Sequence, residues 1–586
     1  MLNLGYNALT GPIPLSLGSL SKLTNISLTH NALTGEISES HFRDLNSLQN
    51  LDLSNNKLVF NIYSLWSPPF ALDVLRLSVC NIERFPVFLK SQRSVTILDL
   101  TNNSIKGDIP SWLWSLPKMK SLVLWYNLLE GPITAHLYNL PKSLKQVELR
   151  ANQFYGSFPL PRSFSAGFPS ELDLSTNNIT GPLPFELCTV LKSSSSLFLA
   201  SNKLDGQIPP CICEQTEYLE ALDLSDNNLS GELPSQLGNC SSLNVLNLAN
   251  NGFQGQIPVE LGQLNKLEVL QINRNILSGN IPMSLQNCKN LEILDLSRNN
   301  LSGKLPKWIG DLSKLRILDL RSNNLKGDIP IQISYLQKLQ ILDLGMNHLS
   351  GSIPLQLSNL SIMANEEFTR SSSSSIDLRY GQYHTEVVDL MDRGREVEYI
   401  FKDLWSNTFM DLSGNSLTGD IPYEISDLKG LRTLNLSHNN LTGQIPQQFG
   451  NMVELEELDL SCNQLEGKIP ITLGNLNFLG WLNLSDNKLS GRIPNGPHFD
   501  TFEATSFSGN PELCGPPLAT NCSENNEDQD GDGSEKTVLH WWELWEAGLG
   551  FGWGIGFGIV VGALALSRRL ARKYFELADS FIAYYK

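Results

Sequence analysis

The sequence predicts an α/β solenoid in which about 19 turns wind into a right-handed superhelix with a parallel β-sheet on its concave side. Three observations predict this fold. Leucines recur as L-x-x-L-x-L, an asparagine follows at a fixed distance, and most units are 24 or 25 residues long. A separate apolar segment near the C-terminus predicts one transmembrane helix.

The repeat is clearest in LEILDLSRNNLSGKLP, residues 291–306, and LRTLNLSHNNLTGQIP, residues 431–446. This spacing is that of a leucine-rich repeat. Leu-x-Leu alternates with period two, so both leucines point inward from a short strand, and stacked turns bury them together. The proline in G-x-I-P excludes a long helix on the far side, where we expect irregular or 3-10 structure. The turns are marked by Cys80 and by the repeat asparagines Asn7, Asn31, Asn56, Asn103, Asn127, Asn152, Asn177, Asn202, Asn227, Asn251, Asn275, Asn299, Asn323, Asn347, Asn415, Asn439, Asn463 and Asn487.

One insert and two irregular ends divide the chain. The insert starts polar and serine-rich, and then the alternation in HTEVVDLM and EVEYIF predicts strands folded back on the solenoid. Neither a signal peptide nor a polar cap precedes the first repeat, which suggests an N-terminally incomplete chain. The predicted organisation is repeats in 1–360, insert in 361–405, four further repeats in 406–495, C-terminal cap with a cysteine pair in 496–522, acidic juxtamembrane linker in 523–546, transmembrane helix in 547–567 and short cytoplasmic tail in 568–586.

The predicted membrane span carries no charge over its 21 residues. Tryptophans precede it and basic residues follow it, which favours a single-pass type I protein of the plasma membrane with extracellular repeats over a buried soluble helix. Glycines spaced by four would place a smooth face on this helix, against which another helix can pack. These glycines are Gly548, Gly552 and Gly556 on one face and Gly550, Gly554, Gly558 and Gly562 on another.

Cysteine placement agrees with an extracellular location. Cys188 and Cys213 each lie 11 residues after a repeat asparagine in adjacent turns, so they are expected to pair, although Cys211 competes as the partner. Cys514 and Cys522 lie in a Pro/Gly-rich loop and form the second predicted pair. We expect buried free thiols at Cys240, Cys288 and Cys462.

Sequons for N-glycosylation are dense, although the repeat generates some of them through its own N-x-[ST] pattern. The candidate acceptors are Asn25, Asn102, Asn178, Asn228, Asn239, Asn300, Asn359, Asn435, Asn440, Asn483 and Asn521.

Several function classes are disfavoured. The net charge of -17 disfavours nucleic-acid binding, which normally requires a basic surface. The kinase motifs H-R-D and D-F-G are not found, and no catalytic set or cofactor motif stands out. Residues 528–533 match the start of an EF-hand loop, but Leu539 occupies the position that requires glutamate, so we expect no calcium or other metal site. An enzyme is therefore not expected.

What remains is a binding surface on the concave side. Residues between and just after the leucines should face solvent there, and some turns replace the usual Asp, Asn and Ser by larger side chains. Aromatic residues and arginines contribute most of the binding energy at protein interfaces, so these larger side chains indicate a binding site. Neutral drift on a tolerant surface is the alternative explanation for them. The candidate ligand-binding residues are Trp125, Tyr126, Glu148, Arg150 and Phe198 in one group, and Gln271, Asn273, Arg274, Arg298 and Arg321 in another.

The ordered parts resemble plant leucine-rich-repeat receptor-like proteins, especially the group that perceives fungal xylanase. The resemblance rests on the LxxLxLxxNxLxGxIP turns, the insert four turns before the end, NPELCGPPL, the glycine-rich span and the tail RRLARKYFELADSFIAYYK. It implies a kinase-less receptor in defence that binds a protein or peptide ligand with its repeats and insert. It also implies an adaptor receptor-like kinase paired with Gly548–Gly562 and a co-receptor kinase recruited by 406–495.

Three other interpretations remain open. The chain could be a developmental peptide receptor, an inhibitor of a secreted wall-degrading enzyme, or a truncated non-signalling remnant. The membrane span and tail argue against the inhibitor, which needs neither.

Overall fold

The structure is a computed structural model that describes residues 1–60, 62, 66–134, 140–141, 143–158, 168–214, 218–365, 387–400, 407–496 and 499–522. The repeats belong to a unit that comprises Met1–Ser371, Val388–Tyr399 and Ser406–Thr520. A second unit comprises Ser372–Val387, Ile400–Trp405 and Asn521–Lys586, and nearly all of it lies outside the described residues. The predicted span 547–567 with its glycine faces, the acidic linker and the tail also lie outside them. Among the described residues, no helix combines the length and apolar character needed to cross a bilayer.

Nineteen short parallel strands form one sheet, here called the main sheet, in which each strand pairs with the next along the chain. The central residue of each typical strand is a leucine that enters the core; Leu294 and Leu318 are 0% exposed. The predicted solenoid with a parallel sheet is therefore confirmed. The strands are β1 (Leu2–Asn3), β2 (Asn25–Ser27), β3 (Asn50–Asp52), β4 (Val74–Arg76), β5 (Ile97–Asp99), β6 (Ser121–Val123), β7 (Gln146–Glu148), β8 (Glu171–Asp173), β9 (Ser196–Phe198), β10 (Ala221–Asp223), β11 (Val245–Asn247), β12 (Val269–Gln271), β13 (Ile293–Asp295), β14 (Ile317–Asp319), β15 (Ile341–Asp343), β16 (Phe409–Asp411), β17 (Thr433–Asn435), β18 (Glu457–Asp459) and β19 (Trp481–Asn483).

The repeat asparagine joins each turn to the turn before it. Asn299 donates its Nδ2 to the carbonyl oxygens of Leu296 at 3.1 Å and Ile272 at 3.0 Å, and its Oδ1 accepts the N–H of Leu277 at 3.0 Å. A single side chain thus satisfies backbone groups of two turns that would otherwise be buried without partners. Cys80 stands in the place of the asparagine in one turn, where its Sγ donates to the carbonyl oxygens of Leu53 and Ser78. A thiol supplies no amide oxygen, so it replaces only the donor part of the asparagine hydrogen bonds.

A second row of short strands follows the repeat asparagines, and these strands also pair in parallel between neighbouring turns. They are Thr10–Gly11, Ala32–Ile37, Lys57–Phe60, Lys106–Gly107, Leu128–Pro132, Gln153–Ser157, Asn178–Pro182, Lys203–Gly206, Asn228–Glu232, Gly252–Gln256, Ile276–Gly279, Asn300–Lys304, Asn324–Asp328, His348–Gly351, Ser416–Asp420, Asn440–Thr442, Glu466–Gly467, Lys488–Arg492 and Glu512–Cys514.

The far side of each typical turn is a short 3-10 helix that starts after the proline of G-x-I-P, as expected from the sequence. These helices pack closely; a Cβ on Gly310 would clash with the carbonyl oxygen of Gln332 in the next turn. The 3-10 helices are Leu15–Ser19, Glu39–Phe42, Val87–Ser91, Leu113–Ser115, Leu191–Ser193, Pro210–Cys213, Ser235–Asn239, Val259–Gln263, Met283–Asn287, Lys307–Asp311, Ile331–Tyr335, Leu355–Asn359, Tyr423–Asp427, Gln447–Asn451, Ile471–Asn475, Phe499–Thr501 and Ala504–Ser506, and single α-helical turns lie at Leu187–Val190 and Ser361–Ala364.

The main sheet continues across the insert, because β15 pairs directly with β16. The described part of the insert is a hairpin of Val387–Asp392 and Arg395–Ile400, joined by Arg393 and Gly394 with φ of 50° and 70°. The Arg393 N–H donates to Oε2 of Glu457 at 3.0 Å, and its Nε lies 3.4 Å from Oε1. The tip of the hairpin therefore contacts the main sheet at β18.

The predicted Cys188–Cys213 disulfide is wrong. Cys188 pairs with Cys211 and Cys213 pairs with Cys240, at Cα–Cα distances of 5.6 and 5.0 Å. Residues two apart in a 3-10 helix face different sides, so Cys211 faces the preceding turn and Cys213 the following one. For the same reason the free thiol expected at Cys240 is wrong.

The remaining cysteines follow the sequence more closely. Cys288 is free and buried, Cys462 is free and half-buried, and Cys80 is also a buried free thiol. Cys514 and Cys522 are both disulfide-bonded.

The double substitution Cys188→Ser and Cys211→Ser is expected to lower the free energy of unfolding by about 3 kcal/mol, because the disulfide closes a loop with a sequence separation of 23 residues. Urea denaturation of the full-length chain measures this change. Cys288→Ser, which removes a buried free thiol, is the control and should cost clearly less. Peptide mapping without reductant that recovers a Cys188–Cys213 peptide would contradict the pairing.

Candidate functional site

The surface opposite the core on the main sheet carries the candidate binding residues. We call it the main-sheet face; it consists of the first and third residues of β1–β19 and of the two residues after the leucine that follows each strand. In β17, Leu434 is 1% exposed whereas Thr433 and Asn435 are half-buried, as alternation requires.

One border of this face has an unusual backbone. The residue directly before each repeat asparagine is left-handed, with φ of 52° at Tyr126, 53° at Arg274 and 52° at Arg298. This conformation costs a non-glycine residue about 1 kcal/mol, and the repeat imposes it at every turn. We call these residues the edge row. The sequence contains a signal for it, because Asn and Asp, which tolerate left-handed backbone, recur at this position, as at Asn250 and Asp226.

The structure brings most of the first candidate group together. The rings of Trp125 and Tyr126 lie 5.5 Å apart, and the N–H of Tyr126 donates to the carbonyl oxygen of Arg150 at 3.0 Å. Glu148 is the last residue of the neighbouring strand β7, two residues before Arg150, but it is only 7% exposed. Tyr126 is 46% exposed and is the most accessible member of this group.

The exposure expected for Phe198 is wrong, since its side chain is only 3% exposed. Phe198 also lies two strands away from Glu148 in the main sheet. Phe198 is the third residue of β9 and lies in register between Asp173 and Asp223. Neighbouring strands in a sheet are less than about 5 Å apart, so third-position side chains shield one another.

In the second group, only Arg274 and Arg298 are accessible, as half-buried members of the edge row. The solvent-facing positions expected for Gln271 and Asn273 are wrong, since they are 2% and 5% exposed. Both belong to the central part of the main-sheet face, where first and third strand residues are also buried.

Arg321 is a further correction, because it is 8% exposed and forms an internal ion pair. Its Nη1 lies 2.8 Å from Oδ2 of Asp411 and 3.5 Å from Oδ1 of Asp343. A Cβ on Gly345 would clash with this nitrogen, so the glycine provides the space that the guanidinium occupies. Arg321 therefore connects turns on both sides of the insert.

Four aspartates occupy the third positions of β13–β16 in continuous register, and we call them the aspartate ladder: Asp295, Asp319, Asp343 and Asp411. Each is 1% exposed or less. The Oδ1 of Asp319 accepts the backbone N–H of Arg321 at 2.9 Å. In each of the other three aspartates, Oδ1 likewise accepts the backbone N–H of the residue two positions later. The sequence reading missed this role of the Asp in LDLS.

Burial raises the pKa of Asp319 well above its usual value, with further contributions from the carboxylates of Asp295 and Asp343. Burial, together with Asp411, raises the pKa of Asp343 to about 8. Among the described residues, no group of three or more His, Cys, Asp or Glu side chains is arranged to hold a metal ion.

Glu148→Gln is expected to make stability less dependent on pH. Burial, followed by the nearby Asp173 carboxylate, raises the pKa of Glu148 from 4.5 to about 8. The folded chain thus keeps a proton that the unfolded chain has released, so its stability falls as the pH rises through this window. Between pH 5 and 8.5 we expect the variant to lose on the order of 2 kcal/mol less than the wild type in urea denaturation. A pH dependence equal to that of the wild type, or to that of Glu186→Gln at an exposed site, would contradict the assignment.

The sequons fall into distinct structural positions, and their glycosylation stays a prediction. Asn435 and Asn483 lie on the main-sheet face, where Asn435 donates to Oδ2 of Asp411 at 3.1 Å. Asn25 is the first residue of β2, Asn102 belongs to the edge row, and Asn521 is exposed. Others begin second-row strands or end 3-10 helices: Asn178, Asn228, Asn300 and Asn440 in the first case, and Asn239 and Asn359 in the second.

Family models for leucine-rich repeats match along the chain. One, described as Leucine rich repeat, matches residues 1–58, 265–325, 289–349 and 431–489. A second, described as Leucine Rich Repeat, matches residues 94–116, 218–240, 242–264 and 408–428.

Curated relatives are plant proteins. Receptor like protein 22 of Arabidopsis thaliana is 36% identical over 186 residues, which cover 30% of this chain and 24% of that protein. Receptor like protein 23 of Arabidopsis thaliana is 33% identical, with 30% and 21% covered. Receptor-like protein EIX1 of Solanum lycopersicum is 38% identical over 129 residues, with 22% and 12% covered. The matched segments therefore span about a quarter or less of the length of these relatives.

Solved structures with a similar fold include the ectodomain of the Arabidopsis receptor kinase HAESA. In complex with an N-terminally extended IDA peptide hormone it is 32% identical with a TM-score of 0.69, over 89% of this chain and 79% of that chain. In complex with IDA and the co-receptor SERK1 it is 31% identical with a TM-score of 0.63, over 88% and 78%. The resemblance seen in the sequence is confirmed by these relatives, and the chain belongs to the plant leucine-rich-repeat receptor-like proteins.

Proposed function

We propose that this chain is a cell-surface receptor that binds a protein or peptide ligand on the main-sheet face and signals in plant defence through partner receptor-like kinases. The edge row is the observation that carries the proposal. Large side chains such as Tyr126, Arg274 and Arg298 lie there at a backbone conformation that disfavours them, and they border a face built by nineteen strands. Tyr, Trp and Arg are the side chains that contribute most to protein interfaces.

The membrane and partner assignments belong to the same proposal. The repeats are extracellular, the span 547–567 crosses the plasma membrane once, and the glycines within Gly548–Gly562 pack against an adaptor receptor-like kinase. The last four repeats recruit a co-receptor kinase. HAESA, a receptor kinase of similar fold, has been solved with a co-receptor, which supports this arrangement.

The ligand assignment is tested in leaves that express the full-length chain and are challenged with a panel of secreted fungal proteins that includes a xylanase. A defence response that requires the chain is expected for one panel member. Trp125→Ala, Tyr126→Ala and Arg150→Ala should weaken binding of that protein about tenfold. Tyr155→Ala is the matched control, because Tyr155 is 52% exposed but lies on the second-row strand Gln153–Ser157.

Two outcomes would contradict this assignment. Unchanged affinity in both Trp125→Ala and Arg150→Ala would remove the main-sheet face as the binding site. The absence of any response to the panel would count against a defence receptor.

The adaptor assignment is tested by purification of the chain from plant membranes. Replacement of Gly552 and Gly556 by leucine is expected to abolish recovery of a receptor-like kinase, since the larger side chains prevent close approach of a second helix. Equal recovery with the wild-type chain would contradict the glycine face. Leucine in place of Ala563, within the same span, is the control.

A developmental receptor for an endogenous peptide is the second candidate. It is favoured by the likeness to HAESA, which has been solved with a peptide hormone. A panel of plant peptides in the same leaf assay distinguishes the two candidates.

A further inference from the structure

Exposed basic side chains cluster on the loops that lead into β5, β6 and β7. We call this cluster the basic border; its members are Lys90, Arg93, Lys118, Lys120 and Lys145. The only acidic residues in the sequence 87–146 are Asp99, Asp108 and Glu130. Asp99 is buried, whereas Glu130 lies on a second-row strand and Asp108 directly follows another. The basic border is therefore a local excess of positive charge in a chain with a net charge of -17.

Lys120 and Lys145 occupy equivalent positions in neighbouring turns, each directly before a strand of the main sheet. The N–H of Lys145 donates to the carbonyl oxygen of Lys120 at 2.8 Å, and the N–H of Lys120 donates to that of Thr96 at 2.8 Å. The residues before the two lysines, Met119 and Leu144, are buried in the core. The backbone thus holds the two lysines next to each other at one border of the main-sheet face.

The fold provides no counter-charge for this cluster. Within the part of the chain that the structure describes, none of the five cations forms an ion pair with a carboxylate. Like charges on neighbouring strands repel each other, so the two adjacent lysines do not stabilise the sheet. Other turns carry neutral residues at the same position, among them Thr24, Gln49, Ser170 and Ser195. A role in binding accounts for a pair of lysines that the solenoid itself does not need.

The adjoining section of the main-sheet face is compatible with a negatively charged ligand. Oγ of Ser121 donates to Oε1 of Gln146 at 2.7 Å, and Nε2 of Gln146 donates to Oε1 of Glu148 at 2.6 Å. Because burial, followed by the Asp173 carboxylate, raises the pKa of Glu148 to about 8, this carboxyl is mostly protonated at neutral pH. Glu171, the first residue of β8, is half-buried and limits this section on its C-terminal side.

The turn of β6 carries candidate binding residues at both borders of the main-sheet face. Lys120 directly precedes β6, and Trp125 and Tyr126 follow it, with ring centroids 5.5 Å apart. At about 3.3 Å per residue, the backbone positions of Lys120 and Trp125 lie roughly 16 Å apart. A small anion cannot contact both borders, whereas an extended peptide of about five residues covers this distance.

We propose that Lys120 and Lys145, with Arg93 and Lys118 on the same loops, bind an acidic segment of the protein or peptide ligand. The inference rests on the proposed function, since it assumes that the ligand binds the main-sheet face. An apolar part of the same ligand packs on Trp125 and Tyr126 at the opposite border. Because the lysines are exposed, salt screens their attraction for the ligand, and this attraction acts largely on the rate of association.

The experiment uses the purified full-length chain and two probes, hexaglutamate and the uncharged hexaglutamine. Calorimetry at low ionic strength is expected to show at least tenfold tighter binding of hexaglutamate. The double variant Lys120→Gln and Lys145→Gln should weaken binding of hexaglutamate about tenfold. Lys106→Gln together with Lys326→Gln is the matched control, because it removes the same charge from exposed positions on second-row strands. This control should change the affinity less than twofold.

Equal binding of the two peptides, wild-type affinity in the double variant of Lys120 and Lys145, or an equal loss in the control would each overturn the basic border as a binding site. The leaf assay separates this failure from failure of the receptor function. If the double variant and the wild type reach a half-maximal response at the same concentration of the fungal protein, the basic border is overturned and the receptor function stands. A wild-type chain that responds to no panel member contradicts the proposed function, and the calorimetry with hexaglutamate still decides the basic border.

Discussion

Arg321→Ala is expected to lower the free energy of unfolding by about 3 to 5 kcal/mol, because it leaves Asp343 and Asp411 buried without their shared counter-ion. Urea denaturation of the full-length chain measures the loss. Arg316→Ala is the matched control. Arg316 is equally buried, at 8% exposed, but its guanidinium donates to Oε1 of the neutral Gln340, and the carboxylate that it acts on electrostatically, Glu292, is half-buried rather than fully buried, so a smaller loss is expected.

The effect of Arg321→Ala should also be local. Hydrogen exchange is expected to accelerate where β15 meets β16, as at the N–H of Leu344, which donates to the carbonyl oxygen of Asp411. In the double variant Arg321→Ala and Asp411→Asn, the loss should be smaller than the sum of the single losses, since both remove one interaction. Additive losses, or faster exchange only in turns far from the insert, would contradict a junction role for Arg321.

Asn299→Ala is expected to cost roughly 3 kcal/mol, since it removes the donor to Ile272 and Leu296 and the acceptor for Leu277 from a buried site. Thermal unfolding of the full-length chain measures this change. The loss is large because the substitution leaves backbone groups unsatisfied in two turns at once.

Asn324→Ala is the matched control for Asn299→Ala. Asn324 directly follows the repeat asparagine Asn323, but it is exposed at the start of a second-row strand and forms no part of a sequon. Its replacement should change stability by less than about 0.5 kcal/mol. Similar losses for the two variants would contradict the bridging role of the repeat asparagine.

The solenoid and its turns could be predicted from the sequence because their cause is local and periodic. Leucines at period two and an asparagine at constant distance recur at every turn, and the strands follow them closely. The free thiols at Cys288 and Cys462 were also predicted correctly, although Cys462 is only half-buried.

The depth of side chains on the main-sheet face could not be predicted in this way. The alternation of side chains along a strand determines which face of the sheet a residue occupies, but not how completely neighbouring side chains cover it. Phe198 and Gln271 were therefore expected to be exposed, whereas both are buried. The partner Asp411 of Arg321 lies 90 residues further along the chain, beyond the insert. Gly345, which departs from the usual serine at its position, was the available signal for that ion pair.

The cysteine pairing failed for a different reason. Spacing of 11 residues from the repeat asparagine predicted that Cys188 and Cys213 stack within disulfide reach; the structure places both in short helical segments of neighbouring turns, but does not pair them. The spacing did not describe the 3-10 helix Pro210–Cys213, which directs Cys211 and Cys213 to opposite neighbours.

The left-handed residue before each repeat asparagine has a consequence for how such a protein can change over generations. The turn imposes the same conformation whether the residue is Asn250, which tolerates it, or Tyr126 and Arg298, which do not, so the fold accepts a cost of about 1 kcal/mol at this position in exchange for a free choice of side chain. Under the proposed function, a single substitution there changes a side chain of the binding surface while the leucine core stays untouched. New specificities can therefore accumulate one turn at a time without loss of the architecture that displays them.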